Sequence, residues 1–258
     1  MCLIAFAWNL HPRYRLALVA NRDEYHARPT APLDWWPQHS QVGGGRDLRE
    51  GGGWLALSRA GRLAAVTNVR EPPVGQSERS RGALVRDFAA GAEAALPYAQ
   101  RAMAAGDAYG PYNLLLWDGA ELIAASNRYA EQPQVLSAGL HSLSNGPFDA
   151  PWPKSLRVTA KLDAWLGSQG DGEADISPLL RILSDTQGAP DAELPDTGVG
   201  LELERMLAPP FIRGPVYGTR ASTVLLLERE GGFRLFERSF GPNGVHLGDR
   251  ELRGQLDR

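Results

Sequence analysis

One cysteine, Cys2, is the only thiol in 258 residues. A single cysteine excludes an internal disulfide and any multi-cysteine metal site. Lysine is nearly as scarce: Lys154 and Lys161 are the only two among 27 basic residues. The arginines are scattered and the net charge is −3, so the electrostatic footprint of a nucleic-acid binder is missing. No apolar run approaches the ~20 residues that span a bilayer. The opening CLIAFAW is too short for a secretory core and lacks a basic leader and a small-residue cleavage site. A cytoplasmic location is expected. The five histidines, His11, His26, His39, His141 and His246, make no HxxxH and no ligand spacing with cysteine, which leaves a metal site unsupported. Haem held by one axial histidine or by Cys2 stays open.

Glycine is plentiful, yet GGGR (43–46) and EGGGW (50–54) lack GxGxxG spacing and precede no helix. They are read as turns or close backbone approaches, not as a phosphate cradle.

What the chain does contain is hairpins. CLIAFAW (2–8) and RLALVAN (15–21) flank the turn-rich NLHPRY. GWLALS and RLAAVTN pair around Arg59-Ala60-Gly61, YNLLLWDGAELIAASN turns at Asp118-Gly119, and STVLLLE with FRLFERSF closes the chain. VLSAGLHSLSN adds one or two short strands. NRDEYHARPTAPLDWWPQ (21–38) is read as an irregular loop because of Pro29, Pro32 and Pro37. EPPVGQSERSRG (71–82) is read as a surface loop able to cover a site.

Helical periodicity marks ALVRDFAAGAEAAL, with Leu84, Val85 and Phe88 on one face, then PYAQRAMAAG, 153–167 and 176–184. In 153–167 the expected register is Leu156, Lys161 and Trp165. The acidic QGAPDAELPDTGVG is read as loop. Strands, two helices, strands, two helices, strands predict one α+β domain over 1–258. Its expected form is a four-layer αββα sandwich: mainly antiparallel sheets from the two chain ends face each other, with helices outside.

Cys2 is the chemical focus. A cysteine is commonly a small buried hydrophobe, but removal of Met1 would leave a thiol and a free α-amine on one residue. With an amine near pKa 7.7–8.0 and a thiol near ~8.5, the amine can serve as base for its own side chain. NRDE follows the second strand directly, which places Asp23 where its carboxylate can orient that amine. Acyl transfer also needs oxyanion donors, and Asn68, Asn127 and Asn145 all stand at strand ends. Each also suits a turn. Arg220, before an apolar strand, can pin a carboxylate or a substrate carbonyl.

NRDE, GGGWLALS, GRLAAVTN, SNGPFDAPWPK, YGTR before STV, and ERSF together resemble the NRDE, or transport and Golgi organization, family along the whole chain. The resemblance implies an N-terminal nucleophile (Ntn) hydrolase-like fold, with Asn21, Arg22 and Glu24 completing the motif around Asp23. The chain is more distantly similar to choloylglycine hydrolases and penicillin V acylases, which also begin Met-Cys. That similarity implies Cys2 as nucleophile, Asp23 as its orienting group, an oxyanion hole built with Asn68 or Asn145, and Arg220 as support. Val19-Ala20 departs from the acylases, which carry an arginine shortly before their Asn-x-Asp.

The expected function is a cysteine amidohydrolase acting on a small acyl-amide substrate without a required cofactor. The alternative implied by the resemblance is non-catalytic binding of haem or of acyl-CoA and lipid on the same fold. Trp35, Trp36, Trp54, Pro72 and Pro73 are the residues expected to line such a pocket.

Overall fold

In the computed structural model the structure describes residues 2–72, 75, 77–170 and 172–257. The chain begins with strand β1 (Cys2–Trp8), which turns into β2 (Tyr14–Tyr25). Every residue of β1 is buried, as a strand covered on both faces must be. Ile4, Phe6 and Trp8 join Leu16, Leu18 and Ala20 in a core between two sheets. Leu3, Ala5 and Ala7 join Ala17 and Val19 in a second core on the outer face. The period of two thus separates the strand into two environments.

The chain then makes β3 (Thr30–Trp36), β4 (His39–Asp47), β5 (Leu55–Ser58) and β6 (Arg62–Asn68). Helices α1 (Arg81–Ala90) and α2 (Ala95–Ala104) follow, then β7 (Tyr112–Trp117), β8 (Leu122–Ser126), β9 (Gln134–Val135) and β10 (Gly139–Leu143). Helices α3 (Pro153–Gly167), α4 (Ser177–Leu183) and α5 (Leu201–Leu207) lead to β11 (Tyr217–Glu228), β12 (Gly232–Phe240) and β13 (His246–Gln255). One sheet has the order β10-β1-β2-β11-β12-β13, the other β3-β4-β5-β6-β7-β8-β9. All named ladders are antiparallel.

Helices α1 and α2 pack on the seven-stranded sheet through Leu84, Val85, Phe88 and Tyr98. Helices α3 and α4 pack on the six-stranded sheet through Val158, Leu162, Trp165 and Leu179. The architecture is the αββα sandwich, and among the described residues no helix is long and apolar enough to cross a membrane.

Four expectations are corrected. The two chain ends do not form opposing sheets: β2 pairs with β11, so both ends share one sheet and the middle of the chain builds the other. Residues 21–38 are not an irregular loop, because β2 runs on through NRDE and Thr30–Trp36 is a strand. Pro32 is tolerated because β3 is an edge strand and its register shifts between Ala31 and Asp34. In α3 the buried register is Val158, Leu162 and Trp165, whereas Leu156 is 58% exposed and Lys161 ion-pairs at the surface with Asp185. Strand β13 and helix α5 add elements not expected from the sequence.

Gly43–Gly45 lies within β4 and is not a turn. A Cβ on Gly44 would stand 2.5 Å from the Leu55 carbonyl oxygen. Gly52 likewise permits a close approach, since a Cβ there would lie 2.4 Å from the Gly82 carbonyl at the start of α1.

Candidate active site

Cys2 opens β1 and stands opposite Arg22 of β2 in the ladder. The two side chains therefore share the face that looks between the sheets. Although Cys2 is only 7% exposed, it lines a cavity of about 240 Å³ at the open end of the sandwich. Residues 77–82 form one wall, so the described part of the 71–82 loop does flank a site. Ser80 fixes that wall by capping α1, its Oγ accepting from the Gly82 N–H at 3.2 Å.

Burial pushes the Cys2 thiol up, while Arg22 and a hydrogen bond from the Asp23 backbone act the other way. The Cys2 carbonyl accepts from Ser144 Oγ at 2.9 Å, which ties β1 to the end of β10. The thiol is thus held rigidly in a desolvated position and needs a base to ionise.

Asp23, one residue past Arg22, falls on the outer face with Val19 and Asn21. It is 3% exposed, and its Oδ1 accepts from Thr219 Oγ1 at 2.6 Å. Thr219 is its cross-strand partner on β11, and its oxygen also accepts from the Ile212 N–H at 2.9 Å. Burial raises the Asp23 carboxyl, and Lys154, Thr219 and Arg70 oppose that rise. The Asp23 charge in turn raises the Cys2 thiol, so the two groups interact.

Lys154, at the start of α3, is 3% exposed and donates to the Leu207 carbonyl at 3.2 Å. Burial and Arg70 bring its amine down to about 8. Arg70 is paired in turn with Glu204 of α5 and stacks over the Trp152 ring. Two buried cations, Lys154 and Arg70, therefore stand behind Asp23, with Glu204 balancing the second.

The remaining expected residues divide. Asn68 ends β6 and lines the Cys2 cavity. Asn145 is fully buried, and its Nδ2 donates to the Asn68 carbonyl at 2.8 Å, which joins the ends of β6 and β10. Asn127 brackets its own turn: Oδ1 accepts from the Tyr112 N–H at 2.8 Å and Nδ2 donates to Gly106 at 3.0 Å.

Arg220 is the extra residue of a bulge in β11. Its Nη1 donates to the carbonyls of Tyr25, His26 and Arg28, which fastens the β2–β3 turn. It lines a neighbouring cavity and not that of Cys2. The guanidiniums that line the Cys2 cavity belong to Arg22, Arg28, Arg79 and Arg81, the last anchored to the Pro111 carbonyl at 3.0 Å. Arg22 was within the motif, and counting the hairpin register would have placed it opposite Cys2. Arg81 fell in the 71–82 segment read as able to cover a site, whereas Lys154 left no signal, because helix packing brings it in.

Of the NRDE run, Asn21 is structural. It donates to the Leu183 and Pro210 carbonyls, each at 2.8 Å, and accepts from Ser222 Oγ at 2.6 Å. Glu24 lies 3.8 Å from Arg22 and 4.0 Å from Arg28. Among the expected aromatic residues Trp54 lines the cavity. Trp36 lies in the core beneath α1 and α2, and Trp35 packs on Phe233. Pro72 lines an adjoining cleft that shares Glu50, Ser77 and Arg81 with the cavity. Pro73 and Met1 lie outside the described residues.

The sequence profile described as Transport and Golgi organisation 2 matches residues 1–242. The chain belongs to this family. Its Bos taurus relative, the Transport and Golgi organization protein 2 homolog, is 35% identical over 93% of each chain, and the Homo sapiens homolog is 34% identical with the same coverage. Among solved structures, a mutant of the conjugated bile acid hydrolase from Clostridium perfringens aligns with a TM-score of 0.52. It covers 98% of this chain and 92% of its own at 10% identity. At that identity the likeness speaks for the fold alone. The family member described here therefore shares the αββα sandwich of that hydrolase, the four layers that hairpin order implied and the fold that the family resemblance implied.

Proposed function

We propose that the protein is an N-terminal-cysteine amidohydrolase acting on a small acyl amide. The carrying observation is that Cys2, held at a strand end, opens into a cavity with Arg22 on its own face and buried Asp23 beside its amino side. After loss of Met1, the Cys2 amine takes the thiol proton, directly or through a water. The thiolate attacks the amide carbonyl, and the oxyanion is stabilised by polar donors at the strand ends, Asn68 with Asn145 behind it. The amine then returns the proton to the leaving nitrogen, and water hydrolyses the acyl-thioester. Asp23 positions the amine, and Thr219 and Lys154 hold Asp23.

Carriage of haem or acyl-CoA receives less support. Sites for such ligands run to about 300–1,000 Å³ and are mostly apolar. Here the cavity is about 240 Å³, and ten of its seventeen described lining residues are ionisable.

The test joins mass spectrometry with kinetics. A mass lacking Met1 is expected, together with turnover of an acyl-amide panel that Cys2→Ala abolishes without a change in circular dichroism. Retained Met1, or equal activity in the variant, removes Cys2 from the chemistry.

A further inference from the structure

A second cavity of about 280 Å³ lies beside the first, beneath edge strand β3, and Arg22 and Trp54 line both. Its floor is Glu237 of β12, which is 3% exposed and which the Cys2 chemistry does not use. Glu237 Oε1 accepts from the Leu33 N–H of β3 at 2.8 Å. A Cβ on Gly45 of β4 would stand 2.9 Å from Glu237 Oε2, so glycine there leaves room for the carboxyl. Burial pushes Glu237 up to about 7 against the Leu33 N–H, Arg22 and Ser239.

Three arginines from three strands line the same cavity: Arg22 of β2, which acts on the Glu237 carboxyl, Arg220 of β11, and Arg250 of β13, the cross-strand partner of Glu237. Arg220 makes its backbone bonds through Nη1. Arg250 has no ion-pair partner among the described residues. Pro32, Trp54, Phe240 and Leu247 supply an apolar wall. Guanidinium forks match carboxylate and phosphate geometry, and partial burial strengthens the attraction. A cationic ligand drawn to Glu237 would meet three like charges.

We propose that this second cavity binds a small organic anion, its carboxylate or phosphate among Arg22, Arg220 and Arg250 and its apolar body against Trp54 and Phe240. Because Arg22 and Trp54 also line the first cavity, the bound anion borders the space beside Cys2.

The test titrates the wild-type chain and, in parallel, Cys2→Ala with 8-anilinonaphthalene-1-sulfonate at pH 6. Including the Cys2 variant makes the result independent of whether the thiol is a nucleophile. Saturable one-to-one fluorescence enhancement is expected in both, weakened at least tenfold by Arg250→Glu with an unchanged melting temperature. Displacement by 1-naphthoate or 1-naphthyl phosphate is expected, the tighter of the two naming the head group, with 1-naphthylmethylammonium at least tenfold poorer.

Affinity should fall from pH 6 to pH 8 as Glu237 ionises facing Arg22, Arg220, Arg250 and the Leu33 N–H. Glu237→Gln should flatten that fall. No saturable binding, indifference to Arg250→Glu, or equal displacement by the ammonium compound would overturn the proposal.

Discussion

Three buried groups at one end of the sandwich are shifted in the same sense, toward neutrality. The Cys2 thiol and Asp23 carboxyl are raised and the Lys154 amine is lowered to about 8, with burial the largest cause each time. Desolvation sets the site and the neighbouring charges correct it. Asp23 accepts from a side-chain donor that is itself tied down, since Thr219 Oγ1 bonds both Asp23 and Ile212. Thr219→Val should therefore cost about 1–3 kcal/mol, the cost of stranding buried polar partners. Urea unfolding would show it, with kcat falling more than KM changes. Thr219→Ser should restore both, and a valine variant as stable as wild type would show that the hydroxyl carries nothing.

At the scale of elements, α3 shows why a helix register is hard to read from one apolar residue. Lys154 and Ser155 are buried because the first turn of α3 sits over the polar end of the six-stranded sheet. The apolar Leu156 is turned to solvent. Leu162→Ala, at a fully buried position, should destabilise by about 2–5 kcal/mol. Leu156→Ala should change stability by no more than about 0.5 kcal/mol. Thermal unfolding distinguishes them, and similar losses from both would contradict this packing. The β2–β3 turn carries a parallel lesson. Arg220 was expected at the nucleophile for its charge, but the bulge directs it to three carbonyls, and its contribution is to the backbone that carries NRDE.

For the molecule as a whole, Glu237 predicts a pH dependence of stability. Its carboxyl is raised from 4.5 to about 7 in the fold, so the folded state holds the proton more tightly than the unfolded chain. The contribution is fully present below pH ~4.5 and is lost as pH rises through 7. A shift of that size corresponds to roughly 3 kcal/mol. Glu237→Gln should flatten this part of the stability curve between pH 4.5 and 7.5 in chemical denaturation. An unchanged slope would mean that the carboxyl is solvated. A buried acid kept at such a cost, beside a cavity bordered by three arginines, is what a ligand site would retain.

Local pattern alone was enough for most strands and for helices α1 to α4, because hairpin turns and apolar period are properties of neighbouring residues. It was also enough to single out Cys2 and Asp23, since a lone cysteine at position two and a carboxylate ending the next strand are legible without coordinates. Tertiary structure decided which strands share a sheet, and with it everything that reaches the site from a distance. Pairing of β2 with β11 brings Thr219 to Asp23 across 196 residues, and packing of α1 and α3 delivers Arg81 and Lys154. Such contacts depend on long-range pairing and on a one-residue bulge, and a bulge reverses the face of every side chain beyond it without leaving a mark in composition or periodicity.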